Sequence, residues 1–208
     1  MNRLTLQWII VAGLALALAG GVTVWRAMTS GPLPAGALKS VTEFRDDKPL
    51  PAFALAGPKG SFTNAQLLGH WSFLFFGYTQ CPDICPTALG LMKTLKSQLA
   101  AVSPAPTFQA VFVSVDPARD THALLGQYMA AFDPEFTGVT GDEAALKPLV
   151  KDLGVFYQRN DATDKKNYTV DHSATIYLID PKGRLAATFS PPQVADAMVS
   201  DYRRITAR

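Results

Sequence analysis

Cysteine is scarce in this chain. Its 208 residues hold only two, Cys81 and Cys85, both within FFGYTQCPDICPTAL (Phe75–Leu89). So small a number excludes the multi-bridge framework of small secreted scaffolds. Charge is also thin: 17% of residues are charged, the net charge is +2, and no run of five like charges occurs. A nucleic-acid partner wants a basic stripe, and there is none. The Walker A glycine loop, the Rossmann glycine pattern, the GxSxG elbow and HExxH are absent, which removes the common phosphate-binding, dinucleotide, serine-hydrolase and zinc-protease readings. Met28, Met92, Met129 and Met198 are scattered, so there is no methionine-rich copper tract. No internal repeat is visible.

Charge is missing altogether between Leu6 and Trp25, in LQWIIVAGLALALAGGVTVW. About twenty apolar residues suffice to cross a bilayer as a helix. Arg3 favours leaving the N-terminal end in the cytoplasm, and Trp8 and Trp25 suit the two interfaces. The competing reading is a cleaved signal sequence, with Ala17–Ala19 as a small-residue site; the apolar run is long for that. With no cysteine nearby, a lipoprotein anchor is excluded. Either reading exports the rest of the chain, most simply to the periplasmic side of a bacterial inner membrane, where a passive cysteine pair tends to oxidise. Residues 1–26 are thus expected to be an anchor or signal sequence, and 27–40, rich in Gly, Pro and Ser, a flexible tether. The expected domain is 41–208, with 48% hydrophobic content across the chain allowing one ordinary core.

That domain alternates in the α/β manner. WSFLFFGY (Trp71–Tyr78) and FQAVFVSV (Phe108–Val115) read as strands buried on both faces. Leu89, Leu91, Met92, Leu95 and Leu99 recur at helical spacing behind Pro86, which suits a helix N1 position. A helix capped near Thr121, a short strand in FTGVTG and a helix ending at Gly154 follow, with Pro148 marking a kink. Gln158–Asn167 reads as a polar loop. SATIYLID, the DPKG turn and RLAATFS form a hairpin, and a last helix follows with Ser190 as its cap. A small hairpin (Leu50–Thr63) and a helical turn (Asn64–Gly69) precede the first core strand. The order suits a thioredoxin-like sheet with parallel central strands and a late antiparallel hairpin.

The two cysteines admit three readings: a passive disulfide, a redox-active dithiol, or two ligands of a metal site. A bridge across so short a loop constrains little of the unfolded chain, which disfavours the first. Cys85 lies where a helix begins, and a helix N-terminus favours thiolate. Of three histidines, His70 lies at the opposite end of its strand and His122 at an ordinary helix start. His172 stands just before the expected antiparallel strand, which begins where its parallel neighbours end. It is therefore delivered to the same sheet edge as Cys81 and Cys85, the edge where open α/β sheets bind ligands. Asp83 and Asp171 neighbour these residues in sequence, and Asp116 follows the second buried strand at the same edge, so each could support such a site, with an ordinary turn or surface role as its alternative.

In order and spacing, FFGYTQCPDICPTAL, VSVDPARDT and YTVDHSATIYLIDPKG resemble the Sco/SenC copper proteins of cytochrome c oxidase assembly. The resemblance covers about Leu50 to the C-terminus. It implies a membrane-tethered thioredoxin-like domain binding one copper ion through Cys81, Cys85 and His172, and assisting assembly of the binuclear copper site in oxidase subunit II. The alternative within the same resemblance is a thiol–disulfide oxidoreductase using Cys81 and Cys85 to reduce the oxidase cysteines. Against it, the usual redox motif is C-x-x-C, one residue shorter, and VDHSAT lacks the proline that thioredoxins place there. Thiolates with imidazole suit copper better than oxygen-loving ions.

Overall fold

The computed structural model describes residues 20–21, 41–58, 60–101, 107–160 and 168–207. The chain divides into two units, Met1–Lys39 and Ser40–Arg208, and the fold below is that of the second. The expected membrane segment and tether lie outside the described residues, apart from Gly20 and Gly21, which are helical. Among the described residues no helix is long and apolar enough to cross a membrane.

Among the described residues of this unit, ten strands and four helices follow in the order β1 (Val41–Glu43), β2 (Ala54–Gly57), β3 (Gly60–Thr63), a 3₁₀ turn (Asn64–Gln66), β4 (Ser72–Gly77), α1 (Ile84–Ala100), β5 (Gln109–Ser114), α2 (His122–Phe132), β6 (Thr137–Thr140), α3 (Glu143–Leu153), β7 (Tyr157–Asn160), β8 (Thr169–His172), β9 (Ile176–Ile179), β10 (Leu185–Phe189) and α4 (Ala195–Thr206). Eight strands make one sheet, in the order β1-β10-β9-β4-β5-β6-β2-β3, and β7 and β8 form a separate ribbon. β4, β5 and β6 run parallel, whereas β9 runs antiparallel to β4. The expected thioredoxin-like sheet is present.

The apolar runs explain its centre. Every residue of β4 is buried, and Phe73, Phe75 and Phe76 are wholly excluded from solvent. Burying one such side chain contributes about 1.5–3 kcal/mol, so this strand anchors the fold. Phe73 meets Phe108 edge-on at 4.8 Å, and Tyr202 of α4 closes over both rings. The helical stripe of α1 buries Cys85, Ala88, Leu89, Met92, Leu95 and Leu99.

Local signals held in several places. Thr121 caps α2 by accepting from the Leu124 N–H; Asp142, not singled out in the sequence, caps α3 in the same way at Ala145. Gly154 ends α3 at φ 64°, a left-handed conformation that glycine adopts without a Cβ penalty. Pro148 sits inside α3, where it leaves the Ala144 carbonyl without a helical donor.

Other expectations require correction. Pro86 is the third helical residue of α1, not the first; its missing N–H costs nothing anywhere in the first turn. Ser190 does not cap α4, whose N-cap is Val194 with no side-chain bond. Part of the expected polar loop, Gln158–Asn160, belongs to a strand, Tyr157–Asn160, paired with β8 from Tyr157 opposite His172 to Asn160 opposite Thr169. Residues 161–167 lie outside the described residues. β1, unforeseen in the sequence, adds an edge strand beside β10.

Candidate metal centre

Parallel pairing puts two loops at one sheet edge. Gly77, the last residue of β4, is in register with Ser114, the last residue of β5. The cysteine loop leaves the first strand there, and Val115–Thr121 leaves the second. β9 begins at that same edge, Ile176 lying opposite Phe75, so His172 arrives just ahead of it. The antiparallel argument made from sequence places His172 correctly.

The three side chains converge. One ligand atom from each of Cys81, Cys85 and His172 lies within 4.8 Å of the others. His172 Nε2 is 3.4 Å from Cys85 Sγ across a sequence separation of 87. His172 Nδ1 is 3.2 Å from the Ser173 carbonyl oxygen, which can only accept, so the proton sits on Nδ1. Nε2 then presents its lone pair to the thiols, the tautomer that a metal ligand needs. The ring stands edge-on to Phe75 at 5.9 Å and to Tyr78 at 5.8 Å, which restricts its swing.

The thiols are free. Cys85, wholly buried, sits over Gly77; a Cβ there would lie 2.4 Å from Cys85 Sγ. Only glycine admits the sulfur so close to the strand. Burial pushes the Cys85 thiol well up, outweighing a backbone hydrogen bond from Tyr78 that acts the other way. This corrects the expectation of thiolate character at Cys85: the helix N-terminus is a local effect, and desolvation overrides it. Burial also lowers the His172 pKa, so its imidazole is neutral at pH 7. In the reduced, metal-free protein the ultraviolet thiolate signal of Cys85 is expected to develop only above the ordinary thiol range of about 8.5. Titrating the Cys81→Ser variant isolates it, and a midpoint at or below that range contradicts the burial argument.

The other predicted residues separate. Asp83, in the cysteine loop, is exposed and makes no side-chain cap bond to α1. Asp171 is exposed and acts on His172 through its charge, the ring's hydrogen-bond contacts being with the Ser173 and Phe76 backbone and with Cys85 Sγ. Asp116 is buried and reaches neither cysteine nor histidine directly; it accepts from Tyr168 Oη at 2.5 Å and pairs with Arg119. His70 is exposed, as is His122, which opens α2. Sequence reasoning missed Asp120, 1% exposed, whose carboxylate accepts from the Thr79 N–H at 3.0 Å, the Thr79 hydroxyl at 2.6 Å and the Ser114 hydroxyl at 2.5 Å. It also missed Arg119 and Tyr168. All three lie in motifs that were quoted, but only tertiary contacts reveal their partners.

Comparison with known proteins agrees with this geometry. The SCO1/SenC family model matches residues 44–207. A SCO2-like protein of Rickettsia prowazekii is 39% identical over 143 residues, 66% of this chain and 67% of that protein. The mitochondrial SCO2 homolog of Bos taurus is 35% identical over 140 residues; the match spans 67% of this chain but about half, 53%, of the bovine protein. Among solved structures, Bradyrhizobium japonicum ScoI with copper bound superposes with a TM-score of 0.67 at 33% identity, covering 76% of this chain and 99% of that one. With a family match running from Phe44 through the cysteine loop and His172 to Ala207, the chain belongs to the SCO1/SenC family.

Proposed function

We propose that the domain carries one copper ion on Cys81, Cys85 and His172 and delivers it during cytochrome c oxidase assembly. The observation that carries this reading is the convergence of two thiols and an imidazole within 4.8 Å. Related ScoI structures hold copper, and the donor set here fits that cargo. Soft thiolates with imidazole select copper over magnesium or calcium, and a structural zinc site normally wants a fourth protein ligand.

The chain's own residues set the terms of loading. Cys85 is held as a thiol, so binding expels its proton and tightens as pH rises. His172 is already neutral and loses nothing on ligation. Phe75 and Tyr78 hold its ring toward the sulfurs. Cys81 retains 8% of its surface whereas Cys85 has none, so cargo enters and leaves past Cys81.

The acceptor is the binuclear copper site of oxidase subunit II or a similar exported protein. Residues 6–25 anchor the domain on the extracytoplasmic side of a membrane, with 27–40 as the tether; their length, lack of charge and Gly/Pro/Ser content support this. The mass of the protein recovered from membranes distinguishes an intact anchor from a cleaved leader. No structural observation specifically favours thiol–disulfide exchange as the principal task.

Copper titration of the reduced 41–208 domain tests the reading. One ion per domain is expected, with His172→Ala weakening affinity by about 10²-fold or more, since one of three ligands is lost. Unchanged affinity and spectrum in His172→Ala would sink the three-ligand site.

A further inference from the structure

The site draws its ligands from two separate arms. The cysteine arm, Tyr78–Cys85, is the loop between β4 and α1 with the first two residues of α1, and the histidine arm is the β7–β8 ribbon, outside the main sheet. Three sulfur and nitrogen atoms can meet only if something fixes one arm against the other.

A single loop touches both. Toward the cysteine arm, Asp120 accepts from the N–H and hydroxyl of Thr79, two residues before Cys81, and Arg119 Nη1 donates to Gln80 Oε1 at 3.1 Å. Toward the histidine arm, Asp116 Oδ1 accepts from Tyr168 Oη at 2.5 Å, and Arg119 Nη1 donates to the Tyr168 carbonyl at 2.9 Å. The Arg119 guanidinium also lies 3.5 Å from the centre of the Tyr168 ring and 5.4 Å from that of Tyr78. Tyr168 is 5% exposed and leads directly into β8, which ends at His172.

The loop is itself stiff. Ser114 Oγ donates to Asp120 and accepts from the Asp116 N–H, while the Asp116 carbonyl accepts from the Asp120 N–H at 2.9 Å. Asp116 also pairs with Arg119 Nε. Arg119 Nη2 is buried without a hydrogen-bond partner among the described residues, but these other polar groups of the loop are paired, and such groups hold one geometry because rearrangement strands a desolvated donor or acceptor.

We propose that Ser114–Thr121 is a bracket that sets the spacing between the two arms, with Arg119 and Tyr168 as positioning residues for His172. Tyr168 anchors one end of β8, and His172 at the other end inherits that placement. Arg119 is the common member, bonded to a residue of each arm. The proposal rests on the copper-site reading for its consequence, though not for its geometry.

Two measurements test it on Tyr168→Phe and Arg119→Lys. In the reduced, metal-free protein, NMR contacts between the His172 ring and the rings of Phe75 and Tyr78 are expected to weaken in both variants. With copper, the affinity ratio between each protein and its His172→Ala counterpart is expected to shrink about tenfold relative to wild type, within the usual range for residues that orient a ligand. Tyr202→Phe serves as a matched control. It removes a buried hydroxyl bonded to the Thr107 carbonyl at 2.8 Å, far from the bracket, and should leave both readouts unchanged. Loss of thermal stability in the bracket variants with ring contacts and ratio intact overturns the proposal. So does an equal shift in Tyr202→Phe. Should Tyr168→Phe fail to fold, Arg119→Lys decides alone: it keeps the charge but loses the planar group whose Nε holds Asp116 while Nη1 reaches both arms. A wild-type protein indifferent to His172→Ala refutes the copper-site reading instead, and the metal-free ring contacts still judge the bracket.

Discussion

Closing Cys81 and Cys85 into a disulfide abolishes copper binding, and reduction restores it. Oxidation removes two electrons and two protons from the pair, and neither bridged sulfur retains the thiolate charge that made it a ligand. His172 is then the only one of the three ligands left. Affinity is expected to fall by on the order of 10³-fold or more, since most of the binding free energy of such sites comes from thiolates. The reaction is sterically open: both thiols are free and their sulfurs lie within 4.8 Å. Equilibrium dialysis of oxidised, reduced and re-reduced domain checks it. Oxidised protein that retains copper with unchanged affinity contradicts the assignment of the sulfurs. In an oxidising compartment the bridge therefore acts as a gate on loading, and a reductant must precede the metal.

Asp120→Ala is expected to destabilise the domain by about 3–5 kcal/mol, lowering the melting temperature by about 10 °C. The carboxylate is 1% exposed and satisfies three donors: the Thr79 N–H, the Thr79 hydroxyl and the Ser114 hydroxyl. Alanine strands all three donors around a buried position, and removes the tie between the cysteine loop and the end of β5. Asp120→Asn provides the contrast. Its amide oxygen, in the place of Oδ2, can still accept from the Thr79 N–H and the Ser114 hydroxyl, and the Thr79 hydroxyl can turn to accept from the NH₂ group in the place of Oδ1. The expected cost is about 1 kcal/mol. Thermal unfolding of the two variants separates the hydrogen-bond account from a simple volume effect, which predicts a near-neutral Asn and only a small loss for Ala.

The divide between what sequence revealed and what it hid follows the range of the forces involved. The aromatic run of β4, the cap at Thr121 and the helix end at Gly154 are governed by near neighbours, so their residue types disclosed them. The placement of His172 needed only strand direction. The β7–β8 ribbon stayed hidden because Tyr157–Asn160 has no apolar alternation. Its pairing opposite Thr169–His172, and the stacking of Arg119 and Arg159 on Tyr168, are tertiary. Cys85 was misjudged for the same reason, the helix end being visible in sequence and the burial not. Asp116 was recognised as a candidate, but its partner Tyr168 is 52 positions away.

The central claim is that two sulfurs and one imidazole nitrogen hold the cargo together. Copper-edge X-ray absorption on the reduced, loaded domain tests it most directly, read beside the same spectrum from His172→Ala. The account predicts a shell of two sulfur atoms and one imidazole nitrogen, with the nitrogen scattering alone lost in the variant. A shell without sulfur, or an imidazole contribution that survives in His172→Ala, contradicts it.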